Sequence, residues 1–345
     1  MNKSRSEWRK RITLLVGSCA LVFAILLVGE AACRLFTPIN FLDNSRGMFQ
    51  PKRFGNSYGN TPNFEGISFG EPFKTDANGF RVVPEFNNSL PPGAPAMLIL
   101  GDSVGFGPAV SDDRTIAGLL RARSPGTRVY NASAIGYDTF DYRNAGVAII
   151  KAKPEIRSVI VLLCLNDVSD ASAQLIRSQT SNTGEPAAVE SGGPLRALNN
   201  FLRSRSKLYL WLKNLLRDTQ LEYFRADLAN YQKGEANVDA AIRPLTELKT
   251  ELDARGISMD VFILPNEAQL RQGVALDFFL PQNMLSGAFA KNGIDFLDLT
   301  RTFLESGLRS KELFLYGDPM HLSEAGMKIA ADEICMRVIG CRNQE

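Results

Sequence analysis

The sequence predicts an α/β protein built on a doubly wound parallel sheet, and three observations carry that reading. Short apolar runs recur five times from residue 96 onward, longer amphipathic stretches separate them, and runs such as Val159 to Cys164 are continuous rather than alternating. Parallel strands need helical crossovers and are covered on both faces, which is what a run such as Val159 to Cys164 requires.

The elements follow in chain order. Residues 1–11 form a basic tail, with Lys3, Arg5, Arg9, Lys10 and Arg11 against Glu7. Residues 12–29 carry no charge and as a helix would span about 27 Å, enough for a bilayer core. Cations on the near side keep the N-terminus in the cytoplasm, so the expectation is a transmembrane signal anchor. Everything past about residue 30 then lies outside, in a periplasm or at the cell surface. A cleaved signal peptide competes, because Glu30-Ala-Ala-Cys33 offers small residues near a workable cut. Residues 30–95 read as an extracytoplasmic connector rich in Gly and Pro. Its many aromatic residues argue that it packs on the core, since free tethers are poor in them. Pro91-Pro92-Gly93 marks the start of the main domain, 96–345.

Inside that domain the predicted strands are Ala96–Leu100, Arg128–Tyr130, Ser158–Leu163, Met259–Leu264 and Ile294–Leu297. Helical spacing is predicted for Asp112–Arg123, Thr139–Lys153, Val238–Arg255 and Ser323–Val338, the last with Ser323 as its N-cap. Residues 168–235 break the rhythm and read as an insertion, with one basic-apolar helix over Leu195–Arg217 that includes Trp211. It is either a lid or spacer, or a helix for a membrane surface or a partner.

Composition narrows the chemistry. At 345 residues, 45% hydrophobic and 22% charged, the chain holds an ordinary folded core. Five cysteines without a C-x2-C pair make neither a disulfide scaffold nor a zinc ribbon. One histidine, His321, rules out metal sites that need two or three imidazoles, so no metal and no cofactor is expected. Without the five cations and one anion of the tail, 34 basic and 36 acidic residues remain, which indicates no face for nucleic acid.

A polar signature closes each of the first three strands, and a fourth precedes the last helix: Gly101-Asp102-Ser103-Val104, Asn131-Ala-Ser-Ala-Ile-Gly136, Asn166-Asp167 and Asp318-Pro-Met-His321. Acyl transfer needs a hydroxyl, a base in reach of it, a carboxylate to hold the base's tautomer, and donors for an oxyanion. Ser103 is the candidate nucleophile and His321 its base. Gly101-Asp-Ser103-Val-Gly105 also satisfies the G-x-S-x-G elbow of α/β-hydrolases, but there the elbow follows several strands. Here Ser103 ends the first strand, and the candidate acid lies three residues before the histidine. The bland readings are a turn serine, an aspartate opening a turn at Asp318, a strand-end cap at Asn166 and a core thiol at Cys164. Cys335 and Cys341 bracket a helix end, and their pairing stays open.

Taken in order, the four blocks resemble those of the SGNH (GDSL-type) hydrolase family over roughly residues 96–340. The resemblance implies a flavodoxin-like three-layer α/β/α sandwich with a five-stranded parallel sheet. It further implies Ser103 as nucleophile, His321 as base, Asp318 as the group orienting the imidazole, and an oxyanion hole made by the N–H groups of Ser103 and Gly136 and the side-chain amide of Asn166. Asp102 would be a structural partner for the loop. Cys164 stands where the third block usually has glycine. Asp76-Ala-Asn-Gly79-Phe-Arg81 resembles a segment that precedes the core in membrane-anchored members. Such members imply a serine esterase acting on O-acyl, chiefly O-acetyl, esters of an envelope or exported carbohydrate. An O-acyltransferase with a membrane acyl-donor partner is the second reading, and a silent scaffold or glycan-binding protein the third. With a single imidazole as base, activity is expected to fall in mild acid around pH 6.5 and to level off above about pH 8.

Overall fold

In the computed structural model, residues 2–39, 47–84, 90–169 and 194–341 are described. The chain divides into two compact units, Met1–Leu42 with Ser191–Asp218, and Asp43–Glu190 with Thr219–Glu345.

The first unit begins with one long helix, α1 (Asn2–Phe36), of which Arg11–Phe36 is long and apolar enough to cross a membrane. Its helical pattern runs on through Glu30-Ala-Ala-Cys33. The span's side chains face outward, Leu14 and Val28 each at 70% exposure.

In the second unit, the stretch read as a connector forms two antiparallel hairpins. Phe49–Phe54 (β1) pairs with Ser57–Asn60 (β2), and Glu65–Ser68 (β3) with Glu71–Lys74 (β4). The second hairpin closes on two residues, Phe69 and Gly70, both at positive φ, the combination that a tight turn with primed geometry demands. These strands are short and interrupted by Gly and Pro, so they carry no alternation to predict them by.

The main domain follows as β5 (Ala96–Gly101), α2 (Ser103–Phe106), α3 (Ile116–Arg123), β6 (Arg128–Asn131), α4 (Thr139–Ala152) and β7 (Ile156–Leu163). The 168–235 stretch resolves into several parts. Residues 170–193 lie outside the described residues. The single helix expected over Leu195–Arg217 is two, α5 (Pro194–Arg203) and α6 (Lys207–Leu216), both in the unit that contains α1. Thr219–Tyr231 (α7) is a core helix of the second unit, with Phe224 and Tyr231 fully buried. Then come α8 (Glu235–Asp253), β8 (Ser258–Ile263), α9 (Leu280–Lys291), β9 (Asp295–Asp298), α10 (Thr300–Glu305), α11 (Ser310–Leu313) and α12 (Glu324–Ile334). Ser323 caps α12 as expected, its Oγ accepting the Gly326 N–H. A π-helical turn, Cys335–Ile339, extends it, and Cys335 is disulfide-bonded to Cys341.

β5 to β9 make one sheet in the order β6-β5-β7-β8-β9, and every pairing is parallel. This is the flavodoxin-like order, with its reversal between β5 and β7. Both faces are covered. Leu98, Leu100, Val159, Val161 and Leu163 join the core under α4, α7, α8 and α9. Met97, Ile99, Ile160 and Leu162 join the opposite core under α3, α10 and α12. The alternation of strand residues between two apolar layers is why the sequence reads as continuous runs. In a sheet of this kind, ligand chemistry belongs in the crevice beyond the strand C-termini, at the reversal.

Candidate active site

β5 ends at Gly101, and the next residue, Asp102, caps α2 by accepting the Val104 N–H at 2.8 Å on Oδ1. Ser103 is thereby the first residue of a short helix that begins at the C-terminal end of the strand beside the reversal. The two glycines around it answer to close packing. A Cβ on Gly105 would lie 2.5 Å from Ser133 Oγ, and one on Gly101 would lie 3.2 Å from the Gly105 Cα. Ser133 belongs to the segment after β6, which runs beside β5 through the Ala132 and Ala134 N–H bonds to Ile99 and Gly101. The spacing G-x-S-x-G is therefore a packing requirement of this turn.

The segment before α12 brings the base. Asp318 Oδ1 accepts the N–H groups of Met320 at 3.0 Å and His321 at 2.8 Å, while Oδ2 lies 2.8 Å from His321 Nδ1. His321 Nε2 lies 2.8 Å from Ser103 Oγ. A neutral imidazole with its proton on Nδ1 donates to Asp318 and accepts from the serine hydroxyl. Neighbouring donors hold the segment in place, with Gln220 Nε2 donating to Asp318 O at 2.9 Å and the Glu267 N–H to Pro319 O at 2.8 Å.

Electrostatics pull the two partners apart. Burial opposes charge on Asp318, yet the charge of His321 and the hydrogen bonds from His321 and Met320 bring its carboxyl below the usual range. Burial likewise opposes an imidazolium, but the Asp318 charge and hydrogen bond, with Asp102 adding to them, lift His321 above its ordinary 6.5.

Gly136 lies in the segment after β6 with φ of +83°, a conformation that favours glycine. Neither its N–H nor that of Ser103 finds an acceptor among the described residues. Asn166 follows β7 in a 3-10 turn, Leu165–Asp167. Ser103, Gly136 and Asn166 thus follow β5, β6 and β7, three neighbouring strands.

Behind the loop lies a buried acidic pair. Burial raises Asp102, and burial together with the charge of Asp102 raises Asp167 well above the carboxylate range. Asp167 accepts from Tyr142 Oη at 2.9 Å and from the Cys164 N–H at 2.8 Å. Cys164 Sγ lies 3.4 Å from Asp102 Oδ1, and burial pushes its thiol far up, so it is a donor and not a nucleophile. Its φ of −99° asks for no glycine. The departure from the third block therefore leaves the backbone before Asn166 undisturbed. Among the described residues no group of three His, Cys, Asp or Glu side chains is placed to hold a metal ion.

Three residues of the hairpins, not singled out in the sequence, reach the site. Tyr58 Oη donates to Ile135 O at 2.5 Å, next to Gly136, and Asn60 Nδ2 donates to Ser133 O at 3.0 Å. The Phe69 ring, on the turn between β3 and β4, packs 5.4 Å from the His321 ring. Arg81 of the Gly-Phe-Arg segment is 2% exposed. Its guanidinium donates to the carbonyls of Phe106, Gly107 and Val110 and pairs with Asp112, fixing the chain just past α2.

No family model matches the chain, and no curated protein does. Solved structures do match, and their names fall in the GDSL lipolytic group and among acetylxylan esterases. A lipolytic protein of the G-D-S-L family from Veillonella parvula DSM 2008 is 12% identical, with 72% of this chain and 100% of that chain covered and a TM-score of 0.42. A catalytic mutant of an acetylxylan esterase from Geobacillus stearothermophilus is 16% identical over 72% of this chain and 95% of that one, at a TM-score of 0.41. A lipase/acylhydrolase from Enterococcus faecalis is 13% identical over 73% and 100%, at 0.39.

Proposed function

We propose that this chain is a membrane-anchored serine esterase of the SGNH type that hydrolyses O-acyl, chiefly O-acetyl, esters on an envelope or exported carbohydrate. The observation that carries the reading is the unbroken line Asp318 Oδ2, His321 Nδ1, His321 Nε2, Ser103 Oγ, each link 2.8 Å, at the sheet's reversal. His321 takes the Ser103 proton as Oγ attacks the ester carbonyl. The N–H groups of Ser103 and Gly136, with the side-chain amide of Asn166, receive the oxyanion. His321 then returns the proton to the departing sugar oxygen, and the acyl-enzyme is cleared when water attacks with the same imidazole as base. α1 is the anchor. The Cys335–Cys341 disulfide supports an oxidising compartment for the catalytic domain, outside the cytoplasm.

The test is p-nitrophenyl acetate turnover by the detergent-solubilised chain, with intact-mass detection of an acetylated serine. Ser103→Ala and His321→Ala should each lose turnover by roughly 10⁴-fold or more. Retained turnover in either variant overturns the assignment. An acetylated Ser103 that persists in water and discharges only onto a sugar hydroxyl would replace hydrolysis with acyl transfer.

A further inference from the structure

The segment from Pro194 to Arg217 holds six cations, Arg196, Arg203, Arg205, Lys207, Lys213 and Arg217, and no acid. It is also unusually apolar on its surface. In α5, Leu198 and Phe201 are 52% and 55% exposed, and in α6 Leu215 and Leu216 are 66% and 80% exposed, with Trp211 beside them at 36%. Such side chains on a water-facing hairpin would be a liability.

Their position on α1 supplies a partner. The Glu30 carboxylate accepts Ser206 Oγ at 2.8 Å and the N–H groups of Lys207 at 3.2 Å and Leu208 at 3.0 Å, so a side chain of α1 caps the start of α6. Leu208 packs 3.1 Å from where a Cβ on Gly29 would lie, and Arg34 donates to Arg205 O at 2.9 Å. Tyr209 Oη donates to Asn199 Oδ1 at 2.5 Å, tying α5 to α6. From Arg11, where the apolar span begins, to Glu30 is about 28 Å of helix, close to the roughly 30 Å of a hydrocarbon core. The start of α6 is thus held at the level where hydrocarbon gives way to headgroups.

We propose that α5 and α6 form an interfacial hairpin lying in the headgroup layer of the membrane that α1 crosses. Their leucine and aromatic side chains enter the lipid, and their cations sit among anionic headgroups. The occupant of the apolar surface is the bilayer, because the surface is continuous with the membrane span and carries one sign of charge. The proposal rests on α1 being retained as an anchor.

Trp8 and Trp211 are the two tryptophans of the chain, so Trp8→Phe leaves Trp211 as the reporter. The full chain carrying that substitution is reconstituted into vesicles of phosphatidylcholine and phosphatidylglycerol, with and without bromine near the top of the acyl chains. The expected result is loss of most Trp211 emission to the brominated lipid with little quenching by acrylamide, and weaker lipid quenching when Leu215→Glu and Leu216→Glu are added. Free access of acrylamide without lipid quenching overturns the proposal. Shielding from both quenchers also overturns it, in favour of a protein partner or a second copy. Alkaline extraction of native membranes and intact mass of the extracted chain report separately on α1. A chain shortened past Ala32 and released by alkali defeats the anchor, whatever the reconstituted Trp211 reports.

Discussion

In the proposed mechanism His321 has to be neutral to accept a proton from Ser103, yet its surroundings favour the charged form. Burial works against the imidazolium, and the Asp318 carboxylate, 2.8 Å from Nδ1, more than offsets it. The acid limb of kcat/KM should therefore have its midpoint above 6.5, the ordinary value, rather than at it as the sequence alone suggested. Asp318→Asn removes the charge while keeping the shape, so the midpoint should move down and the rate should fall by roughly 10⁴-fold. Profiles of both proteins decide this, and a midpoint unchanged by the substitution would count against the triad. The candidate set Ser103, Gly136, Asn166, Asp318 and His321 could be picked from the sequence because the proposed chemistry restricts which residue types can serve, and strand ends place them. Phe69 and Tyr58 were not, because a ring against an imidazole or a hydroxyl on a carbonyl depends on which distant segment the chain folds back upon.

Among the elements, the two hairpins before β5 do what their composition did not announce. Tyr58 bonds Ile135 O, and the left-handed turn at Gly136 follows directly. Tyr58→Phe should cost about 1 kcal/mol of stability for one hydrogen bond. It should also lower kcat by more than that loss explains, with KM little changed, because the Gly136 N–H is no longer held in place. Steady-state kinetics beside thermal melts will check it, and an unaltered kcat would reduce Tyr58 to a packing residue. β5 and the Val159–Leu163 part of β7 were readable because burial on both faces makes their runs apolar throughout. α7 was lost inside the expected insertion, although Phe224, Leu228 and Tyr231 lie at i, i+4 and i+7 and are all buried. A polar stretch on one side and a basic one on the other hid that stripe.

For the whole molecule, the titrating groups at the centre set a direction for stability. Asp102, Asp167 and Asp227 all lie above the usual carboxylate value through burial, Asp227 at about 7, and His321 lies above 6.5. A group raised on folding contributes its full stability below its unfolded pKa and loses it as pH climbs through the folded one. Asp318, which is lowered, keeps its contribution throughout the neutral range. The melting temperature in detergent should fall between about pH 5 and about pH 8, while the rate of the proposed ester hydrolysis should climb over the same interval. Asp227→Asn should flatten part of the fall. A melting temperature that is level or rising across that interval would show that these groups are solvated in the folded protein.

The hydroxyl of Ser103 and the imidazole 2.8 Å from it are 218 residues apart in sequence, and the imidazole comes second. As the polypeptide is synthesised, the candidate nucleophile, the paired hairpins and all five strands of the sheet emerge before the candidate base exists. On the proposed mechanism, a nascent chain that stalls or is cut short of residue 321 carries the hydroxyl but not the imidazole that activates it. On that mechanism activity begins only when the final segment docks, so the timing of the chemistry is written into the order of the blocks along the chain.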